Sequence, residues 1–562
     1  MEHGLTEFIK GYQEQFINAG RELDKEEIPP LTEELFSLFE RTGNRLEYEK
    51  VYFKRRKRLT VYAMLSIMYG EQSCIFRLEE VIKAICAEEC WALPAHVNRS
   101  DGHWRTSIDL FAAETAFSLA EIISLLESRL SDSIREKVHS EVFRRVLDPF
   151  TESNFPYSSW ETSQMNWCAV CCGSIGGAAI YLMRKDRVRL DKLLERVNSS
   201  IMNYIKGFSD DGACLEGLGY YTYGLSFFAA YADLMYRYSD GKVDLFENPK
   251  LKNVALFQQK CFLTGGITVS FSDSQRDEKY RAGLTAYLSR RYPGVEFPDI
   301  SLAADLESDN CYRYVILSRD YFWTKQHVDN TDSKSHWHTV LPYAQWSICR
   351  ADNGCVLAVK GGHNDEPHNH NDVGSFIYAC EGESVLDDIG AGEYTKDYFN
   401  ENRYENICCR SLGHNVPLID GKEQLSGAQY RASGFASDGN GKTELDIALA
   451  YGLDVEDKVT RSFFLERDSG ICTVTDRFRL KVEREVTENL VTLHQPIING
   501  SDFIIQTQNN KFIIQITNGK EFDIINKTYN DHYGVKKKLW LMQWKVSGEY
   551  TKIVIRKMEK KN

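Results

Sequence analysis

Two histidines stand two residues apart in His368-Asn369-His370-Asn371-Asp372-Val373-Gly374-Ser375-Phe376. Asp387-Asp388-Ile389-Gly390 and Gly413-His414-Asn415 follow in turn-punctuated strand. Imidazole nitrogen and carboxylate oxygen are zinc donors, with bonds near ~2.0–2.2 Å. Three histidines and an aspartate therefore make a plausible tetrahedral metal set, or a smaller set that leaves one histidine for chemistry. Four of the chain's 13 histidines fall between 363 and 414. That density favours a functional cluster on loops held by a rigid scaffold over ordinary polar loop residues.

A second group of reactive side chains lies earlier, in Asp210-Asp211-Gly212-Ala213-Cys214-Leu215-Glu216-Gly217-Leu218-Gly219-Tyr220-Tyr221-Thr222-Tyr223-Gly224. Its glycines permit tight turns, and Glu216, Tyr220, Tyr221 and Tyr223 gather at the entry of a helix. By composition alone the favoured reading is a loop that packs one helix pair onto the next. Asn166-Trp167 opens another helix, which carries Cys168, Cys171 and Cys172 in apolar surroundings; burial explains those thiols better than redox or metal chemistry.

The elements that position these groups change period along the chain. Up to about residue 335 apolar residues recur at helical spacing. One stripe runs through Ile108, Phe111, Ala112, Thr115, Leu119, Ile122, Ile123 and Leu126. Ser133 to Glu136 reads as a capping box opening a helix with stripe Ile134, Val138, Val142 and Val146, closed by Pro149. A third stripe joins Leu190, Leu193, Leu194, Val197, Ile201, Tyr204 and Ile205. From about 345 the period becomes two, with hairpin turns at Asp352-Asn353-Gly354, Glu381-Gly382-Glu383, Asp468-Ser469-Gly470 and Asn509-Asn510. Helices followed by strands imply separate α and β layers. The reading is a helical domain over 1–335 and a β domain over 336–562, with Asp329–Ser335 as linker.

Composition limits the partners. A net charge of −13 disfavours nucleic-acid or membrane-surface binding, so an anionic substrate requires a local basic lining. Lys54-Arg55-Arg56-Lys57-Arg58 is the densest basic run and reads as a solvated helix face. The 15 cysteines form no framework and point to free thiols in a reducing compartment. With no basic and apolar leader and no apolar run of membrane length, a cytoplasmic location is expected.

Taken together, Asn166-Trp167, Asp211-Gly212, Glu216-Gly217-x-x-Tyr220-x-x-Tyr223-Gly224, His368-x-His370-x-Asp372-x-Gly374-Ser375-Phe376, Asp388-x-Gly390 and His414-Asn415 resemble the heparinase II/III-type polysaccharide lyases in order and placement. Trp104 and Ile108-Asp109-Leu110 add to the likeness. The resemblance implies an α+β multidomain fold, an incomplete (α/α) toroid followed by an antiparallel β-sandwich. It also implies cleavage of acidic polysaccharides by β-elimination.

Residue by residue, it implies Tyr220, His368 and Asn166 as catalytic groups. Tyr220 would be the general acid, His368 the base or carboxylate partner, and Asn166 the amide that neutralises the uronate carboxylate. His370, Asp388 and His414 would hold a divalent metal, zinc foremost, in a structural role; Asp387 is a rival to Asp388. Glu216, Tyr223, Tyr394 and Arg410 would touch the substrate, an acidic poly- or oligosaccharide. Some relatives carry a histidine where Trp167 stands here. Glycosaminoglycans such as heparan sulfate, hyaluronan or chondroitin are the expected substrates, with alginate second. A glycoside hydrolase using Glu216 and Asp211 and a noncatalytic zinc-stabilised sugar binder are the competing readings.

Overall fold

The computed structural model describes residues 2–326 and 337–559; the linker read at Asp329–Ser335 lies outside them. The chain divides into two compact units that interleave along the sequence. One holds Met1–Phe208, Tyr221–Ala255 and Lys279–Asp332; the other holds Ser209–Tyr220, Leu256–Glu278 and Ser333–Asn562.

The first unit is built of helices packed side by side. Asp109 caps the helix Leu110–Leu125, its carboxylate accepting the Ala112 N–H at 2.7 Å, a cap that satisfies a donor the helix itself cannot. That helix packs on Asn166–Leu182, which packs on Arg187–Lys206. All seven residues of the stripe from Leu190 to Ile205 are buried. The stripe from Ile134 to Val146 is buried too, but its ends differ from expectation. Ser131, not Ser133, is the cap of Asp132–Val142. Pro149 does not close that helix: a π turn, Phe143–Leu147, follows, and Pro149 enters the first turn of Asp148–Glu152, where its missing N–H costs nothing. Cys168, Cys171 and Cys172 are all buried, as their apolar neighbours require. No helix among the described residues is long and apolar enough to cross a membrane.

The basic run departs from expectation. Within the helix Leu46–Met68, Arg55, Arg56 and Arg58 are buried. Glu88 answers two of them, with Arg55 Nε at 2.8 Å and Arg56 Nη2 at 2.9 Å; Arg58 donates to the carbonyls of Glu26 and Glu27. A planar guanidinium can be satisfied inside a protein when each N–H finds an acceptor, which residue type alone did not reveal.

The second unit carries the antiparallel sheets. A five-stranded sheet runs His338–Leu341, Trp346–Arg350, Cys355–Lys360, Phe376–Cys380, Glu383–Leu386, each strand beside the next. Asp352-Asn353-Gly354 makes its second hairpin as read. An eight-stranded sheet, a four-stranded sheet and two two-stranded ones accompany it among the described residues. Residues of the five- and eight-stranded sheets, among them Leu357, Phe376, Phe463, Val474 and Ile555, share one apolar core. Cys355 and Cys380 face each other in register and form a disulfide, an exception to the expected free thiols; the other 13 cysteines are free.

Candidate active site and metal cluster

The β-rich unit contains the histidine cluster and, because it takes in 209–220 and 256–278, also Glu216 and Tyr220 of the second cluster, while Tyr221 and Tyr223 fall in the helical unit. The segment Ser270–Ser274 passes between two glycines whose backbones it touches. Gly217 has φ 102°, and a Cβ there would meet the Ser274 Cβ at 2.8 Å; Gly390 has φ 64°, and its Cβ would meet the Ser274 carbonyl at 2.0 Å. Only glycine fits either position. This packing delivers Asp273, a residue no motif singled out, to the centre of the site.

Asp273 is fully enclosed and accepts from five side chains. Oδ2 takes His368 Nδ1 at 2.8 Å and the Tyr394 hydroxyl at 3.0 Å. Oδ1 takes His370 Nε2 at 3.0 Å and the Tyr398 hydroxyl. Arg403 Nη2 lies 3.3 Å from Oδ2. Burial opposes ionisation, yet the hydrogen bonds from His368 and His370 and the Arg403 charge outweigh it and hold this carboxyl well below its usual range. Two of the segments are locally strained: His368 (φ 58°) and Ser272 (φ 63°) occupy the left-handed region, which disfavours side chains with a Cβ.

Tyr220 completes the group. Its ring stacks on His368 with centroids 4.3 Å apart, and its hydroxyl lies 2.6 Å from that of Tyr394. Since the Tyr394 proton goes to Asp273, Tyr220 donates to Tyr394. On the other side of His368, Nε2 is 3.6 Å from Glu216 Oε2. Burial, then the Asp273 charge, raises the Tyr394 hydroxyl far above its ordinary value.

His370, Asp388 and His414 come together as read, with one ligand atom from each within 4.8 Å of the others. All three are buried. His414 Nε2 donates to the Cys408 carbonyl at 2.9 Å, which leaves Nδ1 to face Asp388 Oδ2 at 3.1 Å. His370 Nε2 is committed to Asp273, and its Nδ1 is buried with no hydrogen-bond partner. Outer hydrogen bonds that fix each tautomer and leave a lone pair pointing inward are what a metal-binding imidazole needs. The donor set fits a divalent cation such as zinc. Burial lowers the His370 pKa. For His414 burial pulls the same way, but Asp388 prevails and raises it. Asp387 is occupied elsewhere, with Arg276 Nη1 at 3.0 Å and the Leu493 N–H at 3.2 Å.

The remaining candidates divide. Tyr394 and Glu216 stand in the cluster. Arg410 does not join it; its guanidinium is gripped by both oxygens of Glu423. Tyr223 and Asn166 belong to the helical unit. Tyr223 bonds Glu114 through its hydroxyl, with the Arg313 guanidinium 4.0 Å above its ring. Asn166 is buried in the first turn of its helix. Asp211, half of the alternative acid pair, accepts the backbone N–H groups of Tyr343 at 2.8 Å and Ala344 at 3.2 Å.

Comparison with known proteins agrees with this architecture. Residues 335–551 match the family model described as heparinase II/III-like, C-terminal. The whole chain is similar to a crystal structure of heparinase III, with TM-score 0.66 and 12% identity over 90% of this chain and 77% of that one. The heparan sulfate lyase HepC from Pedobacter heparinus gives TM-score 0.61 at 12% identity, covering 99% of this chain and 89% of its own. A Streptomyces coelicolor A3 chondroitin AC lyase, in complex with chondroitin sulphate, gives 0.53 at 10% identity over 99% and 83%. No curated protein sequence matches. At these identities the likeness shows the fold, a helical toroid region followed by antiparallel β-sheets, as the sequence motifs implied.

Proposed function

We propose that this protein is a polysaccharide lyase that cleaves uronate-containing glycans by β-elimination, acting on glycosaminoglycans of the heparan sulfate, hyaluronan or chondroitin type. The reading rests on one observation above all: the Tyr220 ring stacks on the His368 imidazole, with the Tyr220 hydroxyl already hydrogen-bonded to Tyr394, 174 residues away in sequence. The heparan sulfate and chondroitin lyases that share the fold support the substrate class.

The chemistry needs a base at C5, an acid at O4 and a partner for the carboxylate on which charge develops. With Nδ1–H given to Asp273, His368 keeps its lone pair on Nε2, where it takes the C5 proton. The electrons form the C4–C5 double bond, the C4–O4 bond breaks, and Tyr220 protonates the departing oxygen. For the opposite uronate epimer Tyr220 serves as base as well. The family resemblance implies Asn166 as the amide for the carboxylate. A zinc ion held by His370, Asp388 and His414 would fix the loop that presents His368. It supplies no nucleophile, because elimination consumes no water.

Incubating purified protein with a panel of uronate glycans tests the reading. New ultraviolet absorbance from the conjugated unsaturated uronate is expected. New reducing ends without that absorbance would instead identify a hydrolase, a reading disfavoured by the backbone engagement of Asp211. Alginate is the second substrate class in the panel. A noncatalytic sugar binder would bind glycans yet be indifferent to Tyr220→Phe.

A further inference from the structure

We infer that Asp273 is a positioning residue shared by the metal cluster and the base, so that one buried carboxylate orients the metal ligand His370 and the proton acceptor His368 together. A carboxylate has two oxygens, and here they are divided. Oδ1 receives His370 Nε2 at 3.0 Å, and Oδ2 receives His368 Nδ1 at 2.8 Å. Each bond fixes a tautomer. In His370 it leaves Nδ1, the buried atom without a partner, as the metal donor. In His368 it leaves Nε2 as the base.

The two histidines are joined by one intervening residue on a backbone strained at His368. Loss of either orientation therefore bears on the other. Arg403, Tyr394 and Tyr398 fill the remaining acceptor sites, so the carboxylate has no freedom to choose between the imidazoles. An amide cannot reproduce this, since it offers one acceptor oxygen and turns a donor toward whichever imidazole meets its nitrogen. The same exchange at the aspartate of serine-protease triads favours the wrong histidine tautomer.

The test is Asp273→Asn, read in two ways that need no lyase activity and one that does. Zinc affinity, measured by competition with a chelator, is expected to fall ~10–100-fold, the usual consequence of removing an outer partner of a metal-bound histidine. Nitrogen NMR of the imidazoles, in protein saturated with zinc, is expected to show His368 leaving the Nδ1-protonated tautomer. On a uronate glycan at saturating zinc, kcat is expected to fall ~10²-fold or more with KM little changed.

Wild-type zinc affinity and an unaltered His368 tautomer would overturn the inference. So would a zinc defect whose repair by excess zinc restores kcat fully, since Asp273 would then serve the metal alone. Only the kcat arm rests on the lyase reading. If the wild-type protein yields no unsaturated product, that reading fails, and the affinity and tautomer arms still decide this one. Should Asp273→Asn not fold, Tyr398→Phe removes one donor to Oδ1 and is expected to weaken zinc binding several-fold; no change in zinc affinity or His368 tautomer would overturn the proposal.

Discussion

The two clusters that meet at Asp273 are built differently. His370, Asp388 and His414 come from three segments outside the strands, and all three side chains are 0% exposed. The Tyr220 cluster gathers a helix entry, a loop at 270–274 and two later loops, and the His368 side chain remains 12% exposed. The closed cluster is suited to holding a cation and the open one to meeting a substrate. A buried site with one orphaned nitrogen is organised for stability, whereas strain and partial exposure at His368 are features of reacting groups.

Removing a single hydroxyl separates the two roles most sharply. Tyr220→Phe is expected to lower turnover ~10²–10⁴-fold, the range for a lost proton-transfer group, with an unchanged melting temperature. A matching loss of stability would mean the ring cluster is structural. His414→Ala reverses the pattern: metal stoichiometry drops and the protein loses ~3 kcal/mol or more in denaturant unfolding, because Asp388 is left buried without its partner. Retained metal in that variant would remove His414 from the ligand set.

The pH dependence of stability offers a finer probe beside the site. Burial pushes the Glu366 carboxyl up to about 7, with Lys360, 3.5 Å away, only partly offsetting it. A carboxyl raised in the folded state holds its proton where the unfolded chain has released it. Stability from this group is therefore full below the unfolded value and is lost as pH rises through about 7, by on the order of 3 kcal/mol. Glu366→Gln should flatten the melting-temperature profile between about pH 5 and 8; an unaltered profile would place that titration elsewhere.

Arg410→Ala is expected to change least. Its pairing with Glu423 is partly exposed and amounts to less than ~1 kcal/mol, so kcat and KM should stay within about two-fold of wild type. A tenfold rise in KM would restore Arg410 to the substrate contacts implied by resemblance.

Much of this was legible in local pattern. Periodicity found the helices, the hairpin turns found four of the five strands of the five-stranded sheet, missing His338–Leu341, and His-x-His with Asp-x-Gly picked out the grouping of His370, Asp388 and His414, because strand geometry and ligand chemistry both act over a few residues. Both spacings suit a ligand; the Asp-x-Gly pattern favoured Asp388, and the contacts of Asp387 with Arg276 and Leu493 agree. Asp273 was invisible in the helical half of the chain: an aspartate in Ser270-Phe271-Ser272-Asp273-Ser274 looks like any polar loop residue until two glycines seat it. The arginines of the Lys54–Arg58 run misled for a related reason, as charge pattern carries no record of a distant Glu88.

Residue types and their short-range spacing thus determined which groups could bind a cation or move a proton, for these follow from side-chain chemistry and backbone period. Tertiary structure alone decided which carboxylate joins them, because long-range packing sets hydrogen-bond partners, and no local rule encodes the approach of segments a hundred residues apart.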